Sequence, residues 1–197
     1  MYLKSIEIQG FKSFANKILF DFHNGITGIV GPNGSGKSNV ADAVRWVLGE
    51  QKVKQLRSSS MQDVIFAGTE NRKPLSFAYV AITLDNGDHS LPLDYNEVTV
   101  ARRVYRSGES EYLLNGSACR LKDIQELFYD TGIGKEGYSI IGQGQIDKIL
   151  SGKPEERREL FDEAAGIVKF KRRKVMTMKK LENEQQNLVR ITDILSE

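Results

Sequence analysis

The sequence predicts an α/β fold, and three observations carry the prediction. A glycine-rich loop, Gly31 to Ser38, sits between a short apolar segment and an amphipathic one. The middle of the chain, from Leu75 to Leu114, has β-rich segments separated by turn-forming residues. From Pro154 onward the pattern is helical, charged and nearly free of glycine. These divide the chain into an N-terminal lobe over residues 1–152 and a helix over 153–197.

Each element can be justified in order. Tyr2 to Ile8 alternates well enough for a strand, and Ile18 to Phe22 reads as a second. Between them lies the loop Gly10-Phe11-Lys12-Ser13-Phe14-Ala15, whose lysine is either a solvated charge or a neighbour of the glycine loop's ligand. Ile26-Thr27-Gly28-Ile29-Val30 reads as a buried parallel strand, which would make the start of the chain a parallel sheet. Asn39 to Leu48 carries apolar residues at helical spacing, with Gly49 as its stop. Gln51 to Ser60 is polar, basic and serine-rich, an exposed loop, and Val64 to Gly68 is a short apolar strand.

Two long β segments follow, Leu75 to Leu84 and Val98 to Tyr105, with Asp85-Asn86-Gly87-Asp88 as turn chemistry after the first. A second hairpin turns at Arg106-Ser107-Gly108-Glu109 before Tyr112-Leu113-Leu114, with Asn115-Gly116 just after. The middle is therefore antiparallel. Leu121 to Tyr129 places apolar residues at 121, 124, 127 and 128, the stripe of an amphipathic helix. Ile133 to Gly137 is a linker, and Pro154 suits the first turn of the long helix. There Leu181, Leu188 and Leu195 repeat every seven residues, and the chain stops inside the pattern without a cap, which suggests a piece of something longer.

The chemistry starts in Gly31-Pro32-Asn33-Gly34-Ser35-Gly36-Lys37-Ser38, which fits G-x-x-x-x-G-K-[ST] at every fixed position. The glycines let the backbone turn N–H groups toward an anion, and the helix that begins near Lys37 adds its positive dipole end. The Lys37 ammonium suits β- and γ-phosphates, and the Ser38 hydroxyl suits Mg²⁺. A glycine-rich turn that binds nothing is the plain alternative; strand, loop and helix in register argue against it. The predicted ligand is a nucleoside triphosphate.

Bulk composition sets the remaining bounds. The 197 residues are 40% hydrophobic and 27% charged, an ordinary globular composition. A net charge of +2 identifies no partner, so any nucleic-acid contact has to come from local patches. Cys119 is the only cysteine, which excludes an internal disulfide and a cysteine-based zinc cluster and favours a reducing cytoplasm. Met1 leads straight into a strand pattern with no signal peptide or membrane span. His23 and His89 are isolated and read as surface or turn residues.

A phosphate-loop hydrolase also needs an apolar strand ending in an acid that helps hold Mg²⁺. The nearest match is Ala81-Ile82-Thr83-Leu84-Asp85, but Asp85 heads a turn, so the hairpin reading is preferred. The chain carries half a catalytic site. Leu150-Ser151-Gly152-Lys153 imitates the Leu-Ser-Gly-Gly signature of ABC-type ATPases, but Lys153 replaces the second glycine and Pro154 removes the next N–H. It reads as a loop.

Taken together, the motifs resemble the N-terminal part of a structural-maintenance-of-chromosomes (SMC) protein, of the bacterial and archaeal type. Besides the phosphate loop, the resemblance rests on Ile8 to Phe14, Arg45-Trp46-Val47-Leu48-Gly49-Glu50 and Asp63 to Gly68. It continues through Tyr105 to Tyr112, Cys119 to Ile124, Gln143-Gly144, Lys153 to Arg158 and Glu163-Ala164-Ala165-Gly166. Zinc-hook repair ATPases are similar at the phosphate loop but not at the later stretches.

The resemblance implies an ABC-type ATPase head lobe with an additional antiparallel sheet and a protruding C-terminal coiled-coil helix. The acidic strand end, the glutamate that activates water and the true signature would lie in a C-terminal lobe of the same protein. By the same resemblance, Gln143 matches the Q-loop glutamine that helps ligate Mg²⁺, and Arg57 an arginine near the phosphates that is coupled to DNA. Lys12 and Ser13 match a loop beside the nucleotide, and Asn39 continues the ATP-binding run from Gly31. Lys37, Gln143 and Arg57 would then be the catalytic set. The implied partners are ATP with Mg²⁺, a second SMC head (a homodimer), a kleisin-type subunit and DNA, in a nucleoid-associated cytoplasmic setting without a membrane. ATP would be sandwiched between two heads, and the isolated lobe would be inactive or nearly so.

DNA contact has a second candidate. Lys169, Lys171, Arg172, Arg173, Lys174, Lys179 and Lys180 fall in a stretch with no acid. The stretch is either a solvated helix face, a seam facing acids on a returning helix, or a sequence-independent phosphate-binding patch. Three rival readings remain open: a self-contained phosphate-loop kinase, a non-catalytic module that nucleotide merely stabilises, and the head of a related repair ATPase.

Overall fold

A computed structural model describes residues 1–128, 131, 133, 140–141, 154, 158, 161, 165 and 167–196. They fall into two compact units, Met1–Ile141 and Gly142–Glu197.

The first unit is built on a six-stranded sheet in the order β2-β1-β3-β4-β5-β6. Its strands are β1 (Tyr2–Gln9), β2 (Ile18–Asp21), β3 (Phe77–Asp85), β4 (Glu97–Tyr105), β5 (Ser110–Leu114) and β6 (Ser117–Cys119). Every pairing is antiparallel. Alternation explains why these segments pair as they do: Ile6, Ile8, Val80, Ile82, Val98, Val100 and Val104 point inward and are buried. The predicted turn at Asp85 works through its side chain, whose Oδ1 accepts the Gly87 N–H at 3.1 Å.

Helix α1 (Lys37–Val47) packs its Val40, Ala43, Trp46 and Val47 into this core. Trp46 is fully buried, with the Phe11 ring 5.2 Å away; burying such a side chain stabilises the fold by about 2–3 kcal/mol. Arg102 of β4 fixes the far end of α1. Its guanidinium is buried over both the Trp46 and the Tyr112 ring, at 4.7 and 4.9 Å, and Nη1 donates to the carbonyls of Trp46 and Glu50, both at 2.9 Å. Helix α2 (Leu121–Leu127) closes the unit, burying Ile124 and Leu127. In the second unit α3 (Val168–Ser196) leaves Val175, Met178, Leu181, Leu188 and Leu195 exposed. Among the described residues no helix is long and apolar enough to cross a membrane.

Four expectations need correction. The start of the chain is not parallel, because β1 lies between β2 and β3 and runs against both. Ile26 to Val30 forms no strand: Ile26 and Val30 are 104% and 91% exposed, and no described strand pairs with the segment. A parallel strand needs a paired neighbour and cover on both faces, and among the described residues this segment has no paired strand and stays exposed. Val64 to Gly68 is buried at Val64, Ile65 and Phe66 but is not a strand. A 3-10 turn (Gln62–Val64) and a single bridge from Ile65 to Phe11 take up its backbone instead. Finally, Gln51 to Ser60 is not a plain exposed loop, since a 3-10 turn (Val53–Leu56) buries Leu56 completely. The domain boundary expected at 152 lies outside the described residues.

Candidate functional site

Four elements meet around the phosphate loop: the turn after β1, the loop itself, the start of α1 and the 3-10 turn that ends at Arg57. Gly36 is the residue before α1 and holds a left-handed φ of 93°. A Cβ there would lie 2.9 Å from Ser13 Oγ and 3.5 Å from the Phe14 ring, so the β1 turn and the phosphate loop can be this close only with glycine. The residues that open α1, Lys37 and Ser38, bring first-turn N–H groups that no helical carbonyl can reach. Ser38 is exposed. Lys37 Nζ folds back and donates to the carbonyls of Gly31 and Pro32, at 2.7 and 2.8 Å, which holds its charge at the loop.

Behind the loop lies a polar network. Asn39 Nδ2 donates to Ser13 Oγ at 2.8 Å, and Arg57 Nη2 donates to Asn39 Oδ1 at 3.1 Å. Arg57 also donates to Asp42 Oδ2, from Nη2 at 2.6 Å and from Nε at 3.2 Å. Lys12 Nζ donates to the same Asp42 oxygen and to the Leu56 carbonyl. Arg45, one turn along α1, approaches Asp42 Oδ1 at 3.5 Å. One buried carboxylate thus faces three cations.

The predicted residues Lys12, Ser13, Gly31 to Ser38, Asn39 and Arg57 are therefore brought together. Lys12 and Arg57 meet through Asp42, which the sequence reading overlooked. A signal existed: Asp42 is the only acid between Lys37 and Leu48 and falls among the apolar positions of α1. An acid there needs cations to offset its burial. Gln143 lies outside the described residues, as do the side chains of Lys169 and Arg172. Lys171, Arg173 and Lys174 are exposed on α3 in the second unit. Asp85 ends β3 beside Tyr2, whereas Gln9, which leads into the Lys12 turn, pairs near the other end at Tyr79. The hairpin reading of Asp85 holds. Among the described residues no cluster of three or more His, Cys, Asp or Glu side chains could hold a metal ion.

Comparisons with known proteins identify the family. Residues 2–152 match the family model described as RecF/RecN/SMC N terminal domain. The chain is 66% identical over 195 residues to the chromosome partition protein Smc of Clostridium kluyveri, covering 99% of this chain and 16% of that protein. It is 58% identical over its full length to Smc of Bacillus subtilis, of which it covers 17%. It thus spans about a sixth of the length of these relatives. Among solved structures, the Smc head domain with an extended coiled coil, bound to the C-terminal domain of ScpA, from Pyrococcus furiosus aligns with a TM-score of 0.80. That match is 41% identical and covers 98% of this chain and 49% of the other. The phosphate loop, the antiparallel sheet and the identity along the length of this chain lead to one conclusion: the chain belongs to the RecF/RecN/SMC N-terminal domain family, where it aligns with the SMC members.

Proposed function

We propose that this chain is the N-terminal half of an SMC head that binds ATP and hydrolyses it only with a C-terminal lobe and a second head. The observation that carries the reading is a complete phosphate loop backed by Lys12, Ser13, Asn39 and Arg57, in a unit whose acidic strand ends among the described residues, Asp21 and Asp85, pair with Ser5 and Tyr2 in the first half of β1, away from the Lys12 turn. The exposed Ile26 to Val30 segment supports it, because a strand-like run without neighbours suits pairing with strands from the missing lobe.

In this mechanism the residues of the chain bind and orient. Backbone N–H groups from Gly34 to Ser38 and the positive end of α1 receive the phosphates. Lys37 exchanges its two carbonyl partners for the β- and γ-phosphates, and Arg57 and Lys12 add positive charge. Ser38 and Gln143 would hold Mg²⁺, which supplies charge neutralisation at the transferred phosphate. The partner lobe supplies the acid and the water-activating glutamate, and the second head closes over the triphosphate. ATP then favours engaged heads and hydrolysis removes the preference, a population shift that opens and closes a ring around DNA. A kleisin-type subunit closes that ring, in keeping with the ScpA-bound neighbour. The setting is the bacterial cytoplasm, at the nucleoid.

The direct test is ATP turnover by this chain with and without the C-terminal lobe. Turnover should require both lobes and fall at least about a hundredfold in Lys37→Ala; robust turnover by the chain alone would reject the split site. A second test concerns DNA. If α3 reads phosphates, replacing Arg173 and Lys174 by Ala should lower the slope of log affinity against log salt by roughly 2. An unchanged slope would mean that the cations of α3 are a solvated face.

A further inference from the structure

We propose that Asp42 is a positioning residue of the nucleotide site: it parks Arg57 beside the phosphate loop and gives it up to an incoming triphosphate. The proposal rests on the nucleotide reading above and adds a residue to it.

The argument begins with charge. Asp42 is buried, its side chain 3% exposed, and it faces Lys12, Arg45 and Arg57. One carboxylate against three cations leaves two positive charges in excess beside the phosphate loop, a local field suited to an anion. The three cations are not equivalent. The Lys12 side chain is 12% exposed and is also tied to the Leu56 carbonyl, so it stays with Asp42. The Arg57 side chain is 54% exposed, and its only other described partner is the Asn39 amide. Arg57 can therefore leave without stranding Asp42, because Lys12 and Arg45 still offset its buried charge.

Backbone geometry points the same way. Lys12 and Arg57 are both non-glycine residues with left-handed backbones, at φ 49° and 54°, and both send their side chains to Asp42. Such conformations persist only where the surroundings hold them. The 3-10 turn that ends at Arg57 and the turn after β1 are both tied to α1 through Asp42, with Asn39 bridging them a second time. Direction comes from the hydrogen-bond chain Arg57–Asn39–Ser13, which ends against Gly36 of the phosphate loop. Arg57 thus stands two hydrogen bonds from the loop, and the carboxylate and a triphosphate compete for the same guanidinium.

A double-mutant cycle on this chain tests the proposal, with MgATP affinity measured by calorimetry. Asp42→Asn should tighten MgATP binding about fivefold to tenfold, since Arg57 no longer has to be withdrawn from a carboxylate. In an Arg57→Ala background the same substitution should change affinity less than twofold. An equal gain in both backgrounds would reduce Asp42 to a general charge effect and overturn the proposal. No MgATP binding by the wild-type chain would sink the nucleotide reading and the proposal together. Should Asp42→Asn fail to fold, the wild-type chain still decides: on MgATP titration the Arg57 Nε–H resonance should shift while the Lys12 ammonium stays put. An unmoved Arg57 signal at saturation overturns the exchange.

Discussion

At the residue scale, two buried charges do different work. Asp42 lies beside the phosphate loop, and Arg102 anchors the other end of the same helix. Arg102 donates to the Trp46 carbonyl in the last turn of α1, which also accepts the Gly49 N–H at 3.1 Å, and to the Glu50 carbonyl just beyond the helix. Burial pushes its guanidinium pKa down, while nearby Tyr112 and Glu50 act to raise it. Among the described residues its Nε finds no hydrogen-bond partner, and the guanidinium lies over both the Trp46 and the Tyr112 ring. Arg102→Met keeps most of the volume but removes the buried guanidinium's hydrogen bonds to the Trp46 and Glu50 carbonyls. It should cost about 3 kcal/mol of stability, read from urea unfolding. A loss below about 1 kcal/mol would mean that water replaces the guanidinium. None of this was legible from the sequence: Arg102 sits in a β segment where alternation gives it a face but not a partner.

At the element scale, most boundaries followed from local chemistry. The Asp85–Asp88 turn, the second hairpin and the Gly49 stop after α1 are set by residues within a few positions of each other. The start of α2 is similar. Asp123 accepts the Arg120 backbone N–H at 2.9 Å and pairs with the Arg120 guanidinium at 2.9 Å. The Arg120 side chain, with its backbone N–H second, holds the Asp123 carboxyl below the usual aspartate range. A depressed carboxyl stabilises the folded state above its unfolded pKa and loses that contribution as pH falls through its folded pKa. The α2 cap should therefore be intact at neutral pH and weaken only in acid. A carbon-detected titration of Asp123 should give a midpoint below that of a free aspartate, and Arg120→Ala should move it up. An unshifted wild-type midpoint would rule the cap contribution out.

At the scale of the whole molecule, the segment Ile26 to Val30 is the clearest case of sequence and structure parting. Its composition is that of a buried strand, and in this chain it is exposed coil. Hydrogen exchange should find the amides of 26–30 fast in this chain and slowed at least about tenfold when the C-terminal lobe is added. Equal rates in both states would remove the strand-pairing reading. The apolar positions of α3, Leu181, Leu188 and Leu195 among them, carry the same message of surface still to be covered.

What the sequence by itself determined was whatever local spacing can encode. That includes the phosphate loop and its helix, the hairpins of β3 to β5, α2 and the long α3, whereas Lys12, Ser13, Asn39 and Arg57 entered as expected site residues through the family resemblance. Tertiary structure alone decided the antiparallel setting of β1, the burial of Leu56, and the meeting of Lys12, Arg45 and Arg57 on Asp42. The reason is physical. Periodicity and turn chemistry are properties of neighbours in the chain, whereas a strand's partner and a buried charge's counter-ion are supplied by residues far away in it.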